Sequence, residues 1–186
     1  MKKRCAWVTS NPLYIKYHDE EWGIPVYEDR KLFEMLLLES FQAGLSWITI
    51  LKKRENFRRA FDNFDYHKIA AYKAKKYTAL VSDKGIVRNK LKIKAAISNA
   101  QNFIKIRDRY GSFSDFLWKF SNHKPIYNTF ENSDKVPTAN KLSDTISKEL
   151  QNHGFQFVGT TIIYAYLQAI GMVNDHTKEC FKYRSS

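Results

Sequence analysis

One segment constrains the fold more than any other. From Asn89 to Arg109, the residues Ile93, Ala96, Ile97, Ala100, Ile104 and Arg107 recur at helical spacing, and Gly111 stops the run. A 3.6-residue period of this length cannot sit in a strand. Asp29 is placed to cap a second helix carrying Leu32, Phe33, Leu36 and Leu37. Residues 46–61 give a third, with Trp47, Ile50, Leu51 and Phe57 on one side and Lys52-Lys53-Arg54 on another. Asp65 and Ser82–Gly85 punctuate two shorter helices, and Thr138–Asn152 and Thr160–Ile170 read as two more, ended by Gly154 and Gly171. With 7 Gly and 4 Pro in 186 residues, an all-α fold is expected, as one unit over residues 1–186 with two helical lobes. The polar segment His123–Pro137 reads as a loop, and only Gly154–Val158 alternates like a strand.

Charge narrows the partner. Lys and Arg number 31 against 19 acids, a formal charge of +12, which favours a polyanion such as nucleic acid. A membrane partner is not expected, because the longest apolar stretch, Ile162–Val173, is too short to span and is broken by Gln168. Met1-Lys2-Lys3-Arg4 leads into polar Thr9-Ser10-Asn11 rather than an apolar run, so a cytoplasmic protein is expected. The two cysteines, Cys5 and Cys180, stand at opposite ends of the chain, and cytosolic thiols stay reduced.

Three constellations can carry chemistry. His176 and Cys180, four apart, share a face if that segment is helical, and Cys5 and His18 complete a Cys2His2 set suited to structural zinc. The alternative is a buried thiol beside a surface histidine. Glu39 ends an apolar helical run, where a carboxylate needs a partner or a task. Beyond it Gly44 permits a sharp turn, and Trp47 offers a stacking plane; a solvated Glu39 and an ordinary core Trp47 are the competing reading. Gly85 opens a turn before the longest helix, and Lys84, Arg88, Lys90, Lys92 and Lys94 follow with no acid among them. Such a turn can hold a phosphodiester, though a solvated basic face has the same composition. Around His18, the aromatics Trp7, Tyr14, Tyr17 and Trp22 could stack on a base or fill a core.

In order along the chain, Cys5-Ala-Trp7, Pro12-Leu-Tyr14 through Tyr17-His18 to Trp22-Gly23, Leu38-Glu39 through Trp47, Phe116-Leu-Trp118, Gly154–Thr161 and Val173-Asn-Asp-His176 resemble the DNA-3-methyladenine glycosylase I family. The resemblance covers almost the full length. It implies an all-α helix-hairpin-helix glycosylase whose terminal segments are tied by a structural zinc on Cys5, His18, His176 and Cys180. It further implies Glu39 as the pocket carboxylate, Tyr17 and Trp47 as base contacts, and Trp7, Tyr14 and Trp22 as pocket lining. Gln42, Gly44 and Leu45 fall in the loop such enzymes push into the duplex, and Gly85, Arg88 and Lys90 in the phosphate-binding hairpin. Gly85-Ile-Val departs from the superfamily's Gly-x-Gly form. Residues 121–137 match poorly and carry no assigned role.

The implied reaction is hydrolytic excision of 3-methyladenine from double-stranded DNA, without strand cleavage and without an obligate protein partner. A rival of another class keeps every one of these features: a non-catalytic, zinc-stapled module that binds nucleic acid and releases no base.

Overall fold

The computed structural model describes residues 2–184. Nine α-helices account for most of them: α1 (Pro12–Glu20), α2 (Asp29–Gln42), α3 (Trp47–Ala60), α4 (Tyr66–Ala70), α5 (Ala74–Ser82), α6 (Lys90–Tyr110), α7 (Phe113–Trp118), α8 (Lys141–Asn152) and α9 (Thr160–Ala169). The only sheet among the described residues is a parallel pair, β1 (Ile126–Tyr127) with β2 (Val173–Asn174). The all-α expectation therefore holds. The one strand-like stretch in the sequence, Gly154–Val158, is instead an irregular link into α9.

Helix α2 is the centre of the molecule. From Leu32 to Phe41 every residue is buried, so its sequence is apolar on nearly all faces rather than on one stripe. It packs against α3, α6, α7 and α9. Phe33 meets Phe103 of α6 edge-on at 5.0 Å, and Phe41 meets Phe57 of α3 at 4.9 Å. Truncating Phe33 or Phe41 to Ala should cost about 3–5 kcal/mol, the usual penalty for an emptied aromatic site.

The caps differ from expectation in one place. Glu28, not Asp29, caps α2, its carboxylate accepting from Arg30 and Lys31 N–H. Asp29 instead accepts from the N–H groups of Phe113 and Ser114 and from Arg107 Nε at 2.5 Å. It thereby anchors the start of α7 to α2 and α6. Asn89 caps α6, its side chain accepting from Leu91 and Lys92 N–H, and Gly111 ends the helix at φ +88°.

The crossing of residues 23–26 over the end of α9 sets up the functional region. Gly23 N–H donates to Gln168 O and Val26 N–H to Ile170 O, each at 3.0 Å. Gly171 makes the crossing possible: at φ +67° a Cβ there would lie 2.2 Å from the carbonyl carbon of Ile24. The crossing brings Trp22 against the C-terminal segment.

Candidate active site

A cavity of about 550 Å³ opens between α1, the end of α2, the start of α3, α9 and the segment 133–138. Glu39 reaches its wall from the last turn of α2 and is only 4% exposed. One of its carboxyl oxygens has no hydrogen-bond partner among the described residues, and burial pushes its pKa up to about 8. The Trp47 indole N–H, also on the cavity, is likewise buried and unpartnered. Two unsatisfied polar atoms in one cavity are costly unless a ligand completes them.

Aromatic rings form the rest of that wall. Tyr17 and Trp47 lie 5.3 Å apart, and Trp7 stands edge-on to Tyr14 at 5.6 Å and to Trp22 at 5.2 Å. Tyr17 is fully buried, which raises its phenol well above the usual range, with the Glu39 charge adding to the effect. The Tyr14 hydroxyl accepts the Ile48 N–H at 3.1 Å, docking α1 on the first turn of α3.

Beneath this wall lies the Cys/His cluster. The ligand atoms of Cys5, His18, His176 and Cys180 all fall within 4.8 Å of one another, and all four residues are buried. Sulfur–nitrogen separations are 3.5 Å for Cys5–His176, 3.3 Å for Cys180–His18 and 3.4 Å for Cys180–His176. A tetrahedron with Zn–S bonds of about 2.3 Å and Zn–N bonds of about 2.0 Å has edges of about 3.5 Å, so the donor set fits zinc. The remaining ring nitrogens are tied as metal-bound histidines require: His18 Nδ1 to Asp19 at 2.8 Å and His176 Nε2 to the Trp22 carbonyl at 3.3 Å. Arg4 in turn grips Asp19 through two nitrogens and holds its carboxyl well below the usual range. His176 and Cys180 do not share a helix, contrary to the expectation from spacing. They flank a tight turn in which Cys180 N–H donates to Thr177 O. The His176 ring packs edge-on against Trp22 at 4.6 Å, so the cluster supports the aromatic wall directly.

The mouth is a sharp turn after α2. Gly44 takes φ +81° with open space around it, Leu45 is 42% exposed, and Gln42 lines the cavity. Next to it lies the turn between α5 and α6. Its Gly85 carbonyl accepts from Lys53 and Asn56 of α3, while Arg88 and Lys90 are exposed. Two basic expectations need correction. Lys92 does not join the exposed basic face: it is buried and donates to the carbonyls of Phe41 and Ala43. Nor is Lys52-Lys53-Arg54 a free basic patch. Lys53 is committed to the Lys84 and Gly85 carbonyls, and Arg54 is buried against Glu21 and Glu34.

Comparison with known proteins agrees with this geometry. The family described as Methyladenine glycosylase matches residues 7–183. The chain belongs to that family. It is 49% identical over 181 residues to DNA-3-methyladenine glycosylase 1 of Escherichia coli (strain K12), covering 97% of each chain. A crystal structure of 3-methyladenine DNA glycosylase I superposes with a TM-score of 0.95 at 48% identity, over 98% of this chain and 100% of that one. The 3-methyladenine DNA glycosylase I of Staphylococcus aureus, solved to define recognition of 3-methyladenine, superposes at 0.94 with 38% identity, over 98% and 97%. In this methyladenine glycosylase family member, the sequence reading missed one whole side of the cavity. Ser133, Val136, Pro137 and Thr138 come from the stretch assigned no role or from its edge, and Tyr164, Gln168 and Asp175 from α9 and beyond.

Proposed function

We propose that this chain is a monofunctional DNA glycosylase that flips 3-methyladenine out of double-stranded DNA and hydrolyses its N-glycosidic bond, opening base-excision repair. The observation that carries this reading is Glu39, a buried and unpartnered carboxyl in an aromatic cavity large enough for one base. An attack at the sugar requires the base to leave the stack, and a concave cavity that opens at the protein surface can receive the extruded base.

N3-methylation makes the adenine cationic and weakens its bond to the sugar. When that bond breaks, its electron pair goes to the base, which departs neutral, and the positive charge passes to the sugar. Water then adds to the sugar carbon and loses a proton. Little general-acid assistance is needed for such a leaving group. The Glu39 carboxylate accepts from the donor-bearing edge of the adenine, Trp47 stacks on the cationic ring, and Tyr17 orients it. Trp7, Tyr14 and Trp22 close the pocket and exclude water. Leu45, with Gln42 on the Gly44 turn, fills the gap left in the duplex as an apolar wedge.

The turn at Gly85 between α5 and α6, with exposed Arg88 and Lys90, is the phosphate-binding hairpin in this reading, and the fold is then of the helix-hairpin-helix type. Cys5, His18, His176 and Cys180 would hold a structural zinc and so fasten the N- and C-terminal segments to one unit. A closed four-ligand ion leaves no position for water, so it supplies rigidity and no Lewis-acid step. Release of free 3-methyladenine from methylated duplex DNA tests the proposal. Binding without release would favour the non-catalytic zinc-stapled module instead.

A further inference from the structure

The cavity is acidic in a basic protein. Against a formal charge of +12, its wall holds two carboxyl groups, Glu39 and Asp175, and no lysine or arginine. Asp175 is 1% exposed and is held by three neutral donors. Its Oδ1 accepts from Asn128 Nδ2, and its Oδ2 accepts from the Tyr164 hydroxyl and from Gln168 Nε2, each at 2.7 Å. Three neutral donors from two segments, the residue after β1 and helix α9, satisfy both of its oxygens without adding a charge. The neighbouring Cys2His2 site does not cancel it either, because two thiolates and a divalent zinc sum to zero. Asn128 extends the strand pairing of β1 beside β2, so the otherwise irregular stretch before α8 has a role in this arrangement.

We propose that Asp175 is the fixed anion of the cavity, selecting a flipped nucleotide that carries positive charge over a neutral one of the same shape. The inference rests on the glycosylase reading above. Positive charge enters on the alkylated base and moves to the sugar as the bond breaks, and a preorganised anion in a largely apolar cavity favours both. Glu39 has one oxygen unpartnered and free to meet the base, whereas both oxygens of Asp175 are held in place, which suits a fixed charge. Tyr164 and Gln168 are positioning residues, acting through Asp175.

The test compares two duplexes: one carrying 3-methyladenine, and one carrying 3-methyl-3-deazaadenine, an uncharged isostere. Asp175→Asn removes the charge, and Gln168→Lys keeps Asp175 but neutralises it across the same contact. In general, opposite unit charges separated by roughly 7 Å at an effective dielectric near 20 attract by an amount equivalent to roughly 50-fold. Single-turnover excision of 3-methyladenine should therefore fall roughly 20- to 50-fold in both variants, while affinity for the isostere duplex stays within about threefold. Unchanged excision would overturn the proposal. So would a parallel loss of isostere binding, which would make Asp175 a strut of the wall. If Asp175→Asn fails to fold, Gln168→Lys decides alone. A wild type that released no 3-methyladenine would instead overturn the glycosylase reading itself.

Discussion

Lys92 and Ala43 join the helix that follows the Gly85 turn to the turn that follows α2. The Lys92 ammonium, in the first turn of α6, donates to the Ala43 carbonyl at 2.5 Å and to Phe41 O at 2.9 Å. Those carbonyls end α2, where helix C-termini carry partial negative charge. The helix that follows the Gly85 turn is thus fastened to the base of the Gly44–Leu45 turn. Lys92→Met should leave the Phe41 and Ala43 carbonyls without their donor and cost about 1–3 kcal/mol of stability. Single-turnover excision should fall more than DNA affinity does, since the exposed Arg88 and Lys90 remain. Equal losses in both would contradict a coupling role.

Glu39 should make both stability and activity depend on pH. Its folded pKa, about 8, lies above the ordinary 4.5, so the protonated form favours the native state. The stabilising effect is complete below about pH 4.5 and is lost as pH rises through 8. Glu39→Gln should therefore gain stability relative to wild type between those limits, on the order of 4 kcal/mol at the upper end. Urea melts of both proteins at pH 5 and pH 8.5 check this, and a constant difference would contradict it. In excision, kcat/KM should rise with pH toward about 8 as the carboxylate forms in the free protein.

One zinc per chain is expected, and Cys180→Ser should lose it. Because the cluster carries the His176–Trp22 contact and ties both ends of the chain, metal loss should lower the melting temperature first. Elemental analysis of purified wild type and variant measures the stoichiometry. Unchanged zinc in the variant would contradict the ligand set.

Phosphate contact should be visible in salt dependence. Neutralising Arg88 and Lys90 together should weaken binding across all duplexes and reduce the slope of log affinity against log salt by about 1.8, if each meets one phosphate. An unchanged slope would move the contact elsewhere. Lys53 and Arg54 are poor substitutes, since both already serve internal partners.

The sequence made some parts of this site legible and hid others for definite reasons. Glu39 stood out because a carboxylate is rare in an apolar run, and Cys5, His18, His176 and Cys180 because together they make a Cys2His2 set. Lys92 was hidden among exposed lysines, although it shares a helical face with Ala96, Asn99 and Phe103, all buried. That spacing was the available signal. Asp175 and its donors Asn128, Tyr164 and Gln168 are scattered over 48 positions and meet only through the short parallel pairing and the end of α9. Likewise, Asp29 has the composition of a cap, but which helix it caps depends on the α2–α7 contact. Local patterns therefore recovered the helices, while the far wall of the cavity is a property of the tertiary fold.

The most direct test of the pocket is a side-by-side single-turnover measurement on duplexes carrying 3-methyladenine and 7-methylguanine. In the proposed pose the Glu39 carboxylate accepts from the amino-bearing edge of adenine, whereas a guanine oxygen at that edge would meet it with repulsion. Wild type should release 3-methyladenine at least about 100-fold faster, with unmodified adenine untouched. Trp47→Ala should slow the preferred reaction by removing stacking worth about 1–3 kcal/mol. Equal rates for the two methylated purines would contradict the assignment of Glu39 as the group that reads the base.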